Sequence, residues 1–222
     1  MASQNFENNE IPFENIEKGA SSTSNSVERL VIFLEKYLPT FPKEQSLNNS
    51  MSEEDLSEEL WEFLTLKCRT NSSPFAFKPE KKQKKQAQKG HPRRVDFGVF
   101  QVQDNTLELI YTLEAKKLPT GKGDREKEYV LGNYGGIERF KQEQHGIDKD
   151  GNLIERNGIV AYILENTVQF WQKSINSWIS DASWNSSELL NLEYELPIGK
   201  LNSRHDKTSG APLYLDHFWV KI

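Results

Sequence analysis

The sequence predicts an α/β fold, a mixed central sheet flanked by helices, on three observations. Residues 95–102 and 107–116 are apolar-rich runs on either side of the polar turn Gln103-Asp104-Asn105-Thr106, a β-hairpin pattern in which Asp-Asn supplies the turn. Residues 158–164, GIVAYIL, form an unbroken apolar run of strand length, as expected of a central strand buried on both faces. Residues 51–69 and 165–180 carry apolar side chains at helical spacing. The order helix, strand, hairpin, helix, buried strand, helix describes an α/β sandwich with a sheet of four or more strands.

Composition bounds the function classes. The chain has 222 residues, enough for one domain with a sizeable core or one domain plus an arm. No apolar run approaches the ~20 residues of a membrane span. The first residues lack the basic start and apolar stretch of a secretory signal, so the expected address is cytoplasmic, with no membrane partner. Cys68 is the single cysteine, which excludes an internal disulfide and a cysteine-based zinc site. A net charge of −5 argues mildly against a free-standing, tight, non-specific DNA binder, although local charge matters more than the sum.

Taken in order, residues 1–26 are rich in Asn, Ser and Glu, with Ile11, Phe13 and Ile16 as isolated apolar points; they read as a solvated tail or as an arm that docks on a partner. Residues 27–38 predict a short amphipathic helix with Ser26 as N-cap, and 39–50 a loop. The expected division is a polar N-terminal arm with a short helix over 1–50 and the main domain over 51–222.

Residues 51–69 are the strongest helix, with Ser52 as N-cap and Asp55 in the first turn. At ~100° per residue, Leu56, Leu60, Phe63 and Leu64 form one stripe. Glu53 projects into that stripe and Glu59 lies at its edge, while Glu54, Glu58 and Glu62 point to solvent. Residues 73–80, SPFAFKPE, predict a short strand that Pro74 and Pro79 confine to an edge or to its ends. From 78 to 94 there are six lysines, two arginines and His91 against Glu80 alone. This is either a solvated loop or a phosphate-backbone contact, and its place just before the hairpin favours the contact. Lys84, Lys85, Lys89, Arg93 and Arg94 are its candidate nucleic-acid residues.

The hairpin carries the chemistry. Side chains alternate along a strand, so Leu109, Tyr111, Leu113 and Ala115 share one face, and Glu114 and Lys116 share the other. Asp96, near the start of the first strand, is brought by antiparallel pairing to the end of the second. Two carboxylates at close range repel unless a cation lies between them. Mg²⁺ or Mn²⁺ suits such oxygen ligands. A bound ion polarises phosphate oxygens and acidifies water. A lysine beside it orients that water or stabilises developing negative charge. The plainer reading is a Glu114–Lys116 salt bridge and an ordinary strand-edge aspartate.

Asp96, followed after eighteen residues by Glu114-Ala115-Lys116, resembles the signature of the PD-(D/E)XK nucleases, with Val95 where the leading proline would stand. The frame is similar as well: an acidic helix, FAFKPE, RRVDFGVF, LEAKKLP, GGIERFK and a buried strand, together covering roughly residues 51–162. The resemblance implies a restriction-endonuclease-like core and a Mg²⁺- or Mn²⁺-dependent endodeoxyribonuclease of bacterial anti-phage defence, gated by partner subunits or self-association. It also implies metal ligation by Asp96 and Glu114, with Glu53 preferred to Glu59 as the helix-borne ligand, and Lys116 beside the water. Two alternatives stand beside it. One is a catalytically inactive subunit that keeps the nuclease fold as a nucleic-acid-binding or protein-interaction scaffold; the other is an RNA-cleaving protein with the same metal chemistry.

Downstream, Gly135-Gly136 before IERFKQEQ predicts a tight turn into a helix with Ile137 and Phe140 inward. Its first N–H groups could hold phosphate. Arg139 and Lys141 are read as groove-facing or as plain surface charge. Residues 148–157, DKDGNLIERN, predict a loop that lacks the bidentate glutamate of a calcium site. In the helix over 165–180, Val168, Trp171, Ile175 and Ile179 form the core stripe. Strands are expected at 189–196 and 213–220, joined by a loop in which Arg204, His205 and Asp206 meet nucleic acid or a partner. No serine in a nucleophile elbow accompanies that His–Asp pair.

Overall fold

The computed structural model describes residues 22–82, 94–103, 106–121, 123–132 and 134–222. Seven strands form one mixed sheet: β1 (Phe75–Lys82), β2 (Arg94–Gln103), β3 (Thr106–Leu118), β4 (Arg156–Ile163), β5 (Asn191–Tyr194), β6 (Gly199–Asp206) and β7 (Pro212–Lys221). Their spatial order is β1-β2-β3-β4-β7-β6-β5. The centre, β3-β4-β7, is parallel, and both wings are antiparallel. The sandwich expectation holds at this level.

β4 explains why the sheet needs two covering layers. Val160 and Tyr162 enter one core, and Ile159, Ala161 and Ile163 enter the other, on the opposite face. The first core is closed by α1 (Ser22–Tyr37), α2 (Phe41–Glu44) and α3 (Glu53–Thr70), through Leu30, Leu34, Phe41, Leu60 and Phe63. The second is closed by α4 (Gly136–Lys141) and α5 (Val168–Asp181), through Ile137, Phe140, Trp171, Ile175 and Ile179. Gly158 is dictated by close approach: a Cβ there would come 2.5 Å from the Tyr111 hydroxyl, which reaches across to Asp216.

α3 starts as expected. Ser52 Oγ accepts the Asp55 N–H at 3.0 Å, and the Asp55 carboxylate accepts the Ser52 N–H, a capping box. Leu56, Leu60, Phe63 and Leu64 are all buried. Three local expectations are corrected. α1 begins at Ser22, so Ser26 is a buried residue within the helix and not its N-cap. The stretch after it is not a plain loop: a 3₁₀ turn over Leu38–Thr40 runs into α2, because Leu38 and Phe41 are pulled into the core. The stretch holding Arg204, His205 and Asp206 is largely strand β6, in which Leu201, Ser203 and His205 face inward. Part of the lysine-rich segment, including Lys84, Lys85, Lys89 and Arg93, lies outside the described residues, as do residues 1–21 and the turn residues Asp104 and Asn105.

Candidate functional site

The site forms where the hairpin comes apart. β2 and β3 pair from Gln103↔Thr106 as far as Phe97↔Leu113; beyond that point β2 stays with β1, through Lys81↔Val95 and Lys82↔Arg94. The last part of β3 is therefore held by β4 on one side and left by β2 on the other. Backbone N–H groups on that vacated edge need partners. Two carboxylates provide them. Asp96 Oδ2 accepts the Ala115 N–H at 2.6 Å, and Glu53 Oε2 accepts the Lys117 N–H at 2.9 Å. Glu53 reaches this edge from the first turn of α3, as the helical phase of that segment implies, and Lys117 Nζ donates to the Met51 carbonyl at 2.7 Å beside it. Glu59 makes no described contact with this group of residues.

Lys116 stands between the acids. Its Nζ donates to Glu114 Oε1 at 3.1 Å and lies 3.4 Å from Glu53 Oε1. Glu114 is 1% exposed and Lys116 6%, whereas Asp96 and Glu53 are half-buried and form the open side. The structure thus gathers Asp96, Glu114, Lys116 and Glu53 at the end of β3.

Their electrostatics are uneven. The Asp96 pKa is pushed up to about 8, first by burial and then by the Glu114 charge, against the opposing pull of Lys116 and the Ala115 N–H. Burial alone would raise Glu114 too, but Lys116, His145 and Arg139 more than reverse it and hold the carboxyl below its ordinary range. Burial opposes the charge on Lys116, yet Glu114, Glu53 and Asp96 outweigh it, so the ammonium holds its proton more firmly than an exposed lysine. Lys116 is accordingly a donor and a fixed cation, not a general base.

Sequence reasoning missed two neighbours of Glu114. Arg139, expected on a nucleic-acid surface, is buried: Nη1 donates to Glu114 Oε1 at 2.7 Å and Nη2 to the Arg94 carbonyl at 2.9 Å. A guanidinium so engaged cannot reach substrate phosphate, which corrects that expectation. His145 Nε2 lies 3.7 Å from Glu114 Oε2. Helical spacing could not reveal either, because Gly136, Ile137, Arg139 and Phe140 are all buried and α4 has no single inward stripe. Lys141 is also taken, by Glu188.

The double glycine is not a phosphate cradle. The N–H groups of Gly135, Gly136, Ile137 and Glu138 donate to the carbonyls of Gly132, Glu128, Tyr129 and Val130. A Cβ on Gly135 would lie 2.5 Å from the Leu131 carbonyl carbon, so close packing explains that glycine. Arg94, at the mouth of the lysine-rich segment, is exposed and pairs with Glu80. His205 itself is buried, which removes it from any nucleic-acid or partner surface, whereas Arg204 and Asp206 on the other face of β6 stay exposed.

Glu114 Oε2 and Arg139 Nε are buried without a hydrogen-bond partner among the described residues. Also among the described residues, no three His, Cys, Asp or Glu side chains lie close enough together to hold a metal ion unaided. No described helix is long and apolar enough to cross a membrane. Comparisons with protein-family models, with curated proteins and with solved structures find no match.

Proposed function

We propose that this chain is a metal-dependent nuclease that hydrolyses DNA phosphodiester bonds at the end of β3, with the restriction-endonuclease-like core that the Asp96…Glu114-Ala115-Lys116 pattern implies. The observation that supports it is the meeting of Asp96, Glu114 and Lys116 where β2 and β3 part, with Glu53 closing the same edge. The donor set suits a hard divalent cation on two counts. Asp96 is raised first by burial and then by the Glu114 charge, so the two carboxylates lie close enough to repel, and Glu114 Oε2 is a buried acceptor without a hydrogen bond from the described residues.

Asp96 and Glu114 would hold Mg²⁺ or Mn²⁺, with Glu53, held on the same edge by the Lys117 N–H, assisting. Two or three protein ligands are enough, because Mg²⁺ commonly keeps waters and substrate phosphate in its shell. When bound, the ion supplies Lewis-acid polarisation of the scissile phosphate and acidifies water. The chain's own groups do the rest. Lys116 stays charged, donates to the attacking water or a phosphate oxygen, and offsets charge as it develops. The Ala115 and Lys117 N–H bonds fix the two outer carboxylates against β3. The half-buried side at Asp96 and Glu53 is the entry for substrate.

In purified protein with Mg²⁺ or Mn²⁺, Lys116→Ala and Asp96→Asn should each abolish cleavage of plasmid DNA while circular dichroism stays unchanged. Equal cleavage by wild type and both variants would sink the reading; cleavage of RNA in preference to DNA would redirect it to the RNA substrate. One observation favours a second reading, a nuclease-fold scaffold without catalysis. Glu114 Oε1 is shared by two internal cations, Lys116 and Arg139, and that is how a purely structural ion cluster also looks. A role in anti-phage defence, and the partner subunits or self-association that would gate it, belong to the same proposal through the resemblance alone.

A further inference from the structure

A second buried polar chain runs beneath α4. Trp219 Nε1 donates to Tyr129 Oη at 2.9 Å, and Tyr129 Oη lies 2.7 Å from His217 Nδ1. Ser203 Oγ lies 2.8 Å from both His217 Nε2 and His205 Nε2, and His205 Nδ1 lies 2.8 Å from Glu188 Oε2. Lys141 Nζ closes the chain on Glu188 and sits 4.0 Å over the Trp184 ring. Tyr129, Ser203, His205, His217, Glu188 and Trp219 are all buried.

Chemistry fixes the direction of every bond. An indole N–H only donates, and an ionised carboxylate only accepts. With Trp219 donating, the Tyr129 hydroxyl is free to donate its own proton to His217 Nδ1. His217 then carries its proton on Nε2 and gives it to Ser203. Ser203 donates to His205 Nε2, and His205 donates from Nδ1 to Glu188. Protonating either imidazole would place two donors against one partner, so the neutral tautomers Nε2–H at His217 and Nδ1–H at His205 alone satisfy the whole chain. Burial lowers the pKa of both histidines, in agreement.

The two ends of this chain grip the two ends of α4. The Tyr129 carbonyl accepts the Ile137 N–H at 3.2 Å, in the first turn. Lys141, in the last turn, binds Glu188, and its carbonyl accepts the Thr208 N–H at 2.8 Å. Arg139 lies between these anchors and delivers its guanidinium to Glu114. We infer that Tyr129, His217, Ser203, His205, Glu188 and Lys141 form a one-way hydrogen-bond relay that sets the position of α4 and so holds Arg139 on Glu114. These are positioning residues and touch no substrate. The placement of α4 stands on geometry alone; its effect on turnover rests on the proposed metal-dependent hydrolysis.

The test uses the full-length protein. Nitrogen-15 spectra of the imidazoles should show His217 as the Nε2–H tautomer and His205 as the Nδ1–H tautomer. Buried guanidinium signals of Arg139, assigned by their loss in Arg139→Met, should be resolved in wild type and merge into fast exchange in Lys141→Met. Misplacement of about an ångström near reacting groups costs up to ~100-fold, so Lys141→Met should lower kcat for Mn²⁺-dependent cleavage at least about tenfold. KM for DNA should change by less than about twofold, because no relay group meets substrate. Lys141→Arg, which can still reach Glu188, should restore both readouts. Ser203→Ala should act like Lys141→Met; should it fail to fold, Lys141, at the rim of the relay, still decides. The inference falls if the tautomers are reversed, or if the Arg139 signals survive in Lys141→Met. A wild type without any nuclease activity would overturn the proposed function and leave the spectroscopic arms to judge the relay.

Discussion

Two buried polar clusters lie on either side of α4, and they are built to opposite standards. In the relay from Trp219 to Glu188, each side-chain bond is between 2.7 and 2.9 Å wherever a histidine or the indole takes part, and every imidazole nitrogen has a partner. The Glu188 pKa is pulled down to about 2, because His205 and Lys141 outweigh the cost of burying it. At the end of β3, by contrast, Asp96 is forced up to about 8, and Glu114 and Arg139 each keep a buried atom without a hydrogen bond among the described residues. A fully satisfied network rigidifies the fold around it. A cluster short of partners is where a ligand has something to gain, and strongly perturbed groups gather at such places. α4 belongs to both, and that makes it the element through which one could steady the other.

The contrast can be broken most severely at Arg139. Arg139→Met leaves Glu114 buried with Lys116 as its main counter-charge, and loss of one partner in a buried ion pair costs about 3–5 kcal/mol. Urea unfolding at neutral pH should report a loss of that order; a change below about 1 kcal/mol would mean that the guanidinium contributes little there.

The pH dependence of stability should separate the clusters by sign. Asp96 has a folded pKa of about 8 against an ordinary 3.8, so between those values the folded state binds more protons and stability falls as pH rises. Glu188 has a folded pKa of about 2 against an ordinary 4.5, so its contribution is complete above 4.5 and is lost as pH falls towards 2. In metal-free buffer, Asp96→Asn should flatten the slope on the neutral side, and Glu188→Gln should flatten the acid limb. Denaturation midpoints measured across the pH range check both; identical profiles for the two variants would refute the contrast. The smallest expected effect comes from an uncharged group: Ser52→Ala removes the α3 cap and should cost about 1 kcal/mol in thermal unfolding. Because Glu53 follows that cap directly, the variant also asks whether the helix start must be rigid for cleavage.

Much of this was legible in the residues, where a period and a function coincide. The hairpin, α3, β4 and α5 each show a regular apolar pattern, and helical phase sets Glu53 and Glu59 apart from Glu54, Glu58 and Glu62; that Glu53 is the one on the site is shown by its bond to the Lys117 N–H. β6 was not legible, because its inward positions after Leu201 are Ser203 and His205: the relay replaces the apolar half of the alternation with polar groups. α1 hid its start because Ser22–Asn25 carry no stripe, although Val27, Leu30 and Leu34 are buried beyond them. Arg139 was misplaced for a related reason. Arginine within the mostly polar stretch ERFKQEQ reads as surface, and only tertiary packing reveals that a six-residue helix is enclosed on most sides.

The parting of β2 from β3 has one more consequence. The acids at residues 53 and 96 occupy amides that a longer ladder would have claimed. A ribbon zipped two rungs further, to Val95 and Ala115, would evict Asp96, and continued zipping towards Lys117 would evict Glu53 as well. The proposed hydrolysis therefore depends on a sheet that stops early, and changes that favour continued pairing near Val95 should be the quiet way to disarm it without touching a single charged group.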